Sequence, residues 1–193
     1  MRLILILLVL AAGIAAGLGL TAFVIGEGAP IFARQFRGWE FSARIGAPDI
    51  DPYARARLFA EGELPLAAGE GYTLRTRKDD AGAPLDTACT YRLSNPFPPT
   101  RYWTVTLVDS TGRLIPNLAE RSGFTSAEIT RTHEGRFAIE IGPDPLPGNW
   151  LPTGRTRKTF ELVLRFYETP LAATATLLDI RTMPSLHKLG CPS

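Results

Sequence analysis

Residues 160–167 read Phe160-Glu161-Leu162-Val163-Leu164-Arg165-Phe166-Tyr167, and this stretch decides the fold class. Its even-numbered positions are all apolar. Because successive side chains of a strand point to opposite faces, this period predicts a β-strand with one buried face. Arg165 lies inside an otherwise apolar strand. The sequence leaves open whether its side chain lies on a solvated face or is a paired interior charge.

Other short segments are also typical of strands. Arg136–Ile141 alternates strictly, and Tyr102–Val108 is rich in β-branched and aromatic residues. Shorter strands are predicted at Tyr72–Arg77, Thr87–Leu93, Arg113–Ile115 and Leu177–Thr182. Turns rich in Gly, Pro and Asp separate them, and the turn after Tyr102–Val108 predicts a hairpin. Many short strands of this kind predict an all-β fold, either an antiparallel sandwich or a jelly roll.

One short amphipathic helix is predicted after residue 50. Asp51 is suited to cap it, Pro52 stands at its first position, and Gly62 is suited to end it. We expect the face with Tyr53, Ala56 and Ala60 to lie against the core, with Phe59 at its border.

The N-terminal run Leu3–Ile25 contains no charged residue. It exceeds the roughly 20 residues that a helix needs to span the bilayer core. A buried helix of a soluble protein and a cleaved signal peptide are the alternatives. The run is longer than a signal h-region, and its alanines lie in its middle, so we favour an uncleaved anchor. We therefore divide the chain into an anchor (1–26), a juxtamembrane connector (27–48) with packed aromatic residues, and a β-sandwich domain (49–193).

The orientation of this anchor rests on two opposing signals. Arg2 precedes the run, whereas Arg34, Arg37 and Arg44 follow it, which places the bulk of the chain in the cytoplasm under the positive-inside rule. However, a very short N-terminal head resembles an export signal, and long domains translocate largely regardless of charge. We predict a single-pass inner-membrane protein, held through residues 3–25, with its globular domain in the periplasm.

Composition excludes several classes of function. The formal net charge is +2, which argues against nucleic acid as a partner. We interpret the Arg-rich spots around Arg75–Lys78 and Arg155–Lys158 as solvated strand ends and loops. The sequence contains no Gly-x-Ser-x-Gly elbow, no phosphate-binding Gly-Lys-Ser/Thr loop and no dinucleotide fingerprint. His133 and His187 have no metal-binding spacing, so we predict no catalytic residue, no metal site and no cofactor.

The chain has two cysteines, Cys89 and Cys191. In an oxidising compartment two cysteines of a small domain often pair, and we favour a disulfide that pins the C-terminal tail to the strand near Cys89. The alternative is one buried and one exposed free thiol.

Candidate ligand-binding residues are aromatic and polar groups in loops or at element ends. Trp150 stands beside Asn149 in a proline-flanked turn, where an aromatic ring next to an amide is suited to a sugar or small-molecule pocket. The alternative for Trp150 is a plug at one end of the sandwich. The predicted ligand-binding residues are Tyr53, Arg57, Trp103, Asn149 and Trp150.

Four segments together resemble a known family. They are Asp51–Ala56, Tyr102–Asp109 with Gly112, the loop Gly148-Asn149-Trp150-Leu151-Pro152, and Leu162-Val163-Leu164-Arg165-Phe166-Tyr167. Over roughly residues 50–182 the chain resembles the bacterial domain of unknown function 1214 (DUF 1214), in the form of its short membrane-anchored members. The resemblance implies a jelly-roll-like domain and a place in the envelope of Gram-negative bacteria. It carries no established catalytic residues.

Three functions stay open at this point. The first is a non-catalytic envelope module that binds a small molecule, a glycan or a protein partner, and this is the one we favour. The second is a structural or assembly protein of the envelope. The third is a glycan hydrolase that uses two carboxylates among Asp49, Asp51, Asp144 and Glu168, which requires a close pair in a cleft.

Overall fold

The computed structural model describes residues 2–27, 34–42, 45–154, 159–169 and 180–191. Helix α1, Arg2–Glu27, holds the apolar run predicted from the sequence. It is long and apolar enough to cross a membrane, but a signal sequence at the N-terminus or the core helix of a soluble protein passes the same test. Large apolar side chains along α1, such as Leu3 and Phe23, are exposed.

Within these described ranges, ten strands form two sheets. The strands are β1 Arg34–Phe36, β2 Trp39–Phe41, β3 Gly71–Thr76, β4 Thr90–Ser94, β5 Tyr102–Val108, β6 Gly123–Thr125, β7 Ala138–Gly142, β8 Asn149–Pro152, β9 Glu161–Tyr167 and β10 Ser185–Gly190. One sheet has six strands in the order β1-β2-β3-β9-β5-β6, and the other has four in the order β10-β4-β7-β8. The pairs are antiparallel except β7 and β8, which run parallel. The predicted mainly antiparallel β-fold is confirmed, and this one pair departs from it.

The core consists of side chains from both sheets. Leu162, Leu164 and Phe166 of β9 are fully buried, as the alternation predicted, and they belong to the same apolar cluster as Ile139 and Ile141 of β7. The opposite face of β9 is also covered, because Glu161 and Val163 are only 2% and 3% exposed. The six-stranded sheet is therefore buried on both faces near β9.

The connector residues that the structure describes add a hairpin to the six-stranded sheet. β1 and β2 are joined at Arg37 and Gly38, whose φ angles of 48° and 80° suit a tight turn between twisted strands. Trp39 and Phe41 are buried in the core, and the Trp39 Nε1 donates to the carbonyl oxygen of Pro184 at 2.8 Å. Trp39 and Phe41 of the predicted connector are thus part of the sheet, whereas residues 28–33 lie outside the described residues.

Two strand predictions need correction. Arg113–Ile115 forms only an isolated bridge to β5, between Val108 and Leu114, and β5 pairs instead with β6. The turn predicted between β5 and Arg113–Ile115 is present, and the Asp109 Oδ1 accepts from the backbone N–H of Thr111 and Arg113. The predicted strand Leu177–Thr182 lies partly outside the described residues. Its end, Ile180–Thr182, is a short 3-10 helix, and the last strand is β10.

Helix α2, Pro52–Glu61, begins and ends as predicted. The Asp51 Oδ1 accepts from the backbone N–H of Tyr53 and Ala54, and Gly62 ends the helix at a φ of 66°, which glycine adopts without strain.

The predicted buried face of α2 is wrong. Leu58 is the buried side chain, whereas Tyr53, Phe59 and Ala60 are exposed. The few apolar side chains of this short helix lie on more than one side, so their spacing did not determine which side would be covered.

The predicted disulfide is confirmed. Cys89 and Cys191 are joined, with their Cα atoms 4.1 Å apart. Cys89 precedes β4 and Cys191 follows β10, and these two strands are neighbours in the four-stranded sheet. The bond therefore fixes the C-terminal strand at the edge of its sheet.

Candidate functional site

The candidate site lies on the outer face of the six-stranded sheet. Arg165 of β9 stands between Thr73 of β3 and Thr104 of β5 in the strand register, so these side chains share one face. Val163, two residues before Arg165 on β9, stands between Arg75 and Thr106 in the same way. This patch of strands supplies a polar floor.

The segment that follows α2 turns this floor into a cavity. Gly62, Glu63 and Leu64 form one wall, and Gly112, in the turn after β5, lines the cavity as well. The floor is made by Arg75, Thr106, Val108, Val163 and Arg165. We call this space of about 280 Å³ the outer-face cavity.

Ion pairs connect the floor to the wall. Glu161 accepts from the Arg75 Nη1 at 2.9 Å and from the Arg77 Nε at 2.8 Å, and its side chain is only 3% exposed. Glu63 pairs with Arg75 through the other guanidinium nitrogen. Arg165 lies at the edge of this network, with its Nη2 3.8 Å from the Glu63 Oε1. We call these five side chains the charged cluster.

The charged cluster has one more positive than negative charge. Burial alone lowers the pKa of Arg75, but hydrogen bonds and Coulombic attraction from Glu63 and Glu161 outweigh it and raise that pKa above its ordinary value. Arg75 is thus a permanently charged group whose charge is compensated by two carboxylates. Arg165 has the weakest contact in the charged cluster, so it is the cation best placed to receive an added anion.

The structure therefore decides two questions that the sequence raised. Arg165 lies on the outer face of the sheet, with a side chain 28% exposed, and it is neither fully solvated nor part of the core. The interpretation of Arg75 as a solvated strand end is wrong, because it is 24% exposed and paired with buried Glu161. Arg77 is 55% exposed, yet it also pairs with Glu161. Residues 155–158 lie outside the described residues.

An apolar groove of about 600 Å³ adjoins this region. It runs between α2 and the segments on either side of it, and it is lined by Ile45, Ile50, Leu58, Phe59, Leu64 and Pro65 among others. Gly62, Glu63 and Leu64 line both the groove and the outer-face cavity. A further hollow of about 450 Å³ shares Ile50, Arg55 and Phe59 with the groove.

The predicted ligand-binding residues do not form one cluster. Tyr53 and Arg57 lie on α2, one turn apart, and Arg57 makes polar contacts of its own. Trp103 is buried in the core, stacked on Phe137 at a centroid distance of 5.2 Å. A ligand-binding role for these three residues stays a prediction.

Asn149 and Trp150 lie on β8, at the edge of the other sheet. The Asn149 side chain is buried and bonds to the backbone of Thr130 and Ala138. The Trp150 Nε1 donates to the carbonyl oxygen of Gly142 at 3.0 Å. These bonds fix the loop before β8 to its neighbours, and a role in ligand binding stays a prediction.

The candidate carboxylates for hydrolysis lie in different settings. Asp51 caps α2, whereas Glu168 is exposed and pairs with Arg101 at 2.7 Å. Asp49 and Asp144 have polar partners as well. Within the described ranges, no group of three or more His, Cys, Asp or Glu side chains is arranged to hold a metal ion.

Sequence reasoning missed the charged cluster as a site. One signal was present, because a lone arginine in an apolar strand marks a face that is neither core nor open solvent. Glu63 gave no such signal, since its contacts with Arg75 and Arg165 join a loop to two strands that the sequence does not place beside it.

Comparisons with known proteins show the family of the chain and, through the Vibrio structure described below, agree with the fold. A family model described as "Protein of unknown function (DUF1214)" matches residues 70–171. No curated protein matches the chain. The crystal structure of the VPA0106 protein from Vibrio parahaemolyticus is similar over 92% of this chain and 43% of that chain, with a TM-score of 0.59 and 17% identity. An uncharacterized protein from Burkholderia cenocepacia matches 76% of this chain and 45% of that chain, with a TM-score of 0.42 and 16% identity. The chain spans less than half the length of either protein.

Proposed function

This chain belongs to the DUF1214 family, and on that premise we propose that it is a membrane-anchored, non-catalytic envelope protein that binds a small anionic molecule in the outer-face cavity. The family description assigns no activity, so the proposal rests on the site. The single observation that carries it is the position of Arg165. Its guanidinium group lines the cavity, and its nearest carboxylate oxygen among the described residues is 3.8 Å away.

The charged cluster is suited to hold an anion. Arg75 is engaged by Glu63 and Glu161, so its guanidinium group is fixed in place and its charge is compensated. Arg165 retains donors for a carboxylate or phosphate, which guanidinium groups bind through two parallel hydrogen bonds. Thr106 lies on the same floor. A bound anion therefore brings the net charge of the site close to zero, and its hydrogen bonds to Arg165 replace a long contact with Glu63.

The location belongs to the same proposal. A disulfide between Cys89 and Cys191 favours an oxidising compartment, and α1 has the length and composition of a membrane span. We infer an uncleaved anchor in the inner membrane, a globular domain in the periplasm, and a jelly-roll-like arrangement of the two sheets.

A thermal-shift titration of the full chain in neutral detergent tests the binding function. The ligands are inorganic phosphate, short carboxylates, sugar phosphates and uncharged glycans. An anion at 100 times its dissociation constant stabilises the fold by about 2.7 kcal/mol, which raises the midpoint by roughly 5–10 °C.

Two substitutions locate the effect. Arg165→Gln should abolish the shift, whereas Arg92→Gln, on the outer face of the other sheet, should leave it intact. The proposal fails if no anion shifts the midpoint, or if Arg165→Gln retains the full shift. If the chain is well folded but no ligand shifts its thermal midpoint, an assembly protein becomes the favoured function.

A further inference from the structure

We propose that the ligand is a long-chain fatty acid taken from the bilayer, with its carboxylate in the outer-face cavity and its acyl chain in the apolar groove. This inference rests on the proposed function, because it uses the same cation, Arg165. It adds the chemical class of the ligand and its source.

The first reason is the arrangement of the two spaces. The outer-face cavity has Arg75 and Arg165 on its floor, whereas the groove is lined mainly by aliphatic and aromatic side chains. Gly62, Glu63 and Leu64 line both. A ligand that occupies both spaces has a charged end in the outer-face cavity and an apolar end in the groove. Such a ligand is an amphiphile.

The second reason is the exposed apolar surface beside the groove. Phe59 is 81% exposed and Leu64 is 89% exposed, and both line the groove. Large apolar side chains that converge at a hollow mark a binding surface more often than scattered ones do. An acyl chain in the groove removes them from water, which is favourable in proportion to the apolar area covered.

The third reason is the position of the groove relative to α1. α1 contacts α2, the helix that forms one side of the groove. If α1 spans the bilayer, α2 lies at the membrane surface, and the nearest store of acyl chains is the lipid leaflet itself. A groove of about 600 Å³ is within the range of pockets that hold one small ligand, which favours a single acyl chain over a two-chain phospholipid.

Photolabelling of the full chain in phosphatidylcholine nanodiscs tests this inference. The probe is hexadecanoic acid with a diazirine near the end of its chain, and the comparison probe is the matching hexadecanol. After irradiation, mass spectrometry measures adducts on residues 45–67 relative to adducts on α1. The adducts on α1 correct for the partition of each probe into the bilayer.

We expect the acid to label residues 45–67 about tenfold more than the alcohol, since a charge-assisted hydrogen bond contributes more than about 1.4 kcal/mol. Arg165→Gln should reduce labelling by the acid to the level of the alcohol. Phe59→Ser should lower labelling by both probes. Phe59 is exposed, so this change leaves the core intact. Leu118→Ser, at a fully exposed leucine outside the groove, should change neither.

Equal labelling by acid and alcohol overturns the inference, as does labelling that Phe59→Ser leaves unchanged. The proposed function is tested separately, by the thermal shift that short anions produce. Short anions that bind through Arg165 without labelling of the groove by the acid overturn the fatty acid and leave the anion site standing. If neither probe nor short anion binds, both proposals fall.

Discussion

On the outer face of the six-stranded sheet, the Glu161 side chain is 3% exposed between two arginines, whereas on the outer face of the four-stranded sheet Glu140 is 13% exposed and its partner Arg92 is 51% exposed. Both ion pairs join arginine to glutamate across neighbouring strands, although Arg92 stands directly opposite Glu140 whereas Arg75 stands opposite Val163 in the register. The difference is the segment after α2, which lies over the first face and brings Glu63 to Arg75. A covered face makes its ion pairs part of the folded structure, and an open face leaves them close to water.

The two sheets also differ in how their edges are held. The four-stranded sheet has a covalent bond at its edge, since Cys89 and Cys191 flank β4 and β10. The six-stranded sheet ends at the β1–β2 hairpin, which is held by Trp39 and Phe41 in the core. Removing the bond and removing the buried charge are therefore separate ways to test what stabilises each sheet.

The largest effect is expected from the disulfide. The cysteines are 102 residues apart, and closing a loop of that length destabilises the unfolded chain by about 4.7 kcal/mol in the chain-entropy description. The double variant Cys89→Ala, Cys191→Ala should lose about 3–4 kcal/mol in urea unfolding. Hydrogen exchange should increase more in β10 than in β9, because only β10 is tied by the bond. A loss below about 1 kcal/mol would show that pairing between β4 and β10 is sufficient by itself to hold β10 in the sheet.

The second effect is expected from Glu161→Gln. Gln keeps the shape of the side chain but leaves Arg75 and Arg77 with less compensating charge, so we expect a loss of about 3 kcal/mol in the free energy of unfolding. Glu63 still pairs with Arg75, which keeps the loss at the lower end of the range for broken buried pairs. The measurement is urea unfolding, in which the slope of the free energy of unfolding against urea concentration should match that of the native chain.

Glu140→Gln is the matched control on the other sheet. It removes the partner of half-exposed Arg92, and we expect a loss below about 1 kcal/mol. If both substitutions cost the same, the cover over the six-stranded sheet does not bury its charges, and the contrast between the two faces is wrong.

This contrast also explains what the sequence could and could not predict. The alternation in Phe160–Tyr167 identified a buried face, because burial of one side imposes a period of two. The α2 boundaries followed from Asp51 and Gly62, whose effects are local. The cover over Arg165 depends on Glu63 reaching two strands, and no local pattern encodes which loop lies over which face.

Tyr72 and Tyr91 give the finest comparison, since each is a buried core tyrosine from a different sheet. The Tyr91 hydroxyl oxygen accepts from the backbone N–H of Asp86 at 2.8 Å, whereas the Tyr72 hydroxyl has no hydrogen-bond partner among the residues that the structure describes. Tyr72→Phe should stabilise the fold by about 1 kcal/mol, because an unpaired buried hydroxyl costs desolvation energy. Tyr91→Phe should destabilise it by about 1–2 kcal/mol, because it leaves the Asp86 N–H without that acceptor. Equal changes in the urea midpoint would mean that both hydroxyls are equally well paired.

Unfolding at alkaline pH tests the same two tyrosines through the ionisation of their hydroxyl groups. Burial raises the pKa of Tyr72 and, against the opposing hydrogen bond from Asp86, the pKa of Tyr91. Below the unfolded pKa of about 10, both states keep the phenolic proton and stability does not depend on it. Above that pH the unfolded chain ionises first, so the free energy of unfolding falls by up to about 1.4 kcal/mol per pH unit for each buried tyrosine. Tyr72→Phe should reduce the slope of the free energy of unfolding against pH by the contribution of one proton. A slope identical to that of the native chain would show that Tyr72 ionises in the folded state as readily as in the unfolded one.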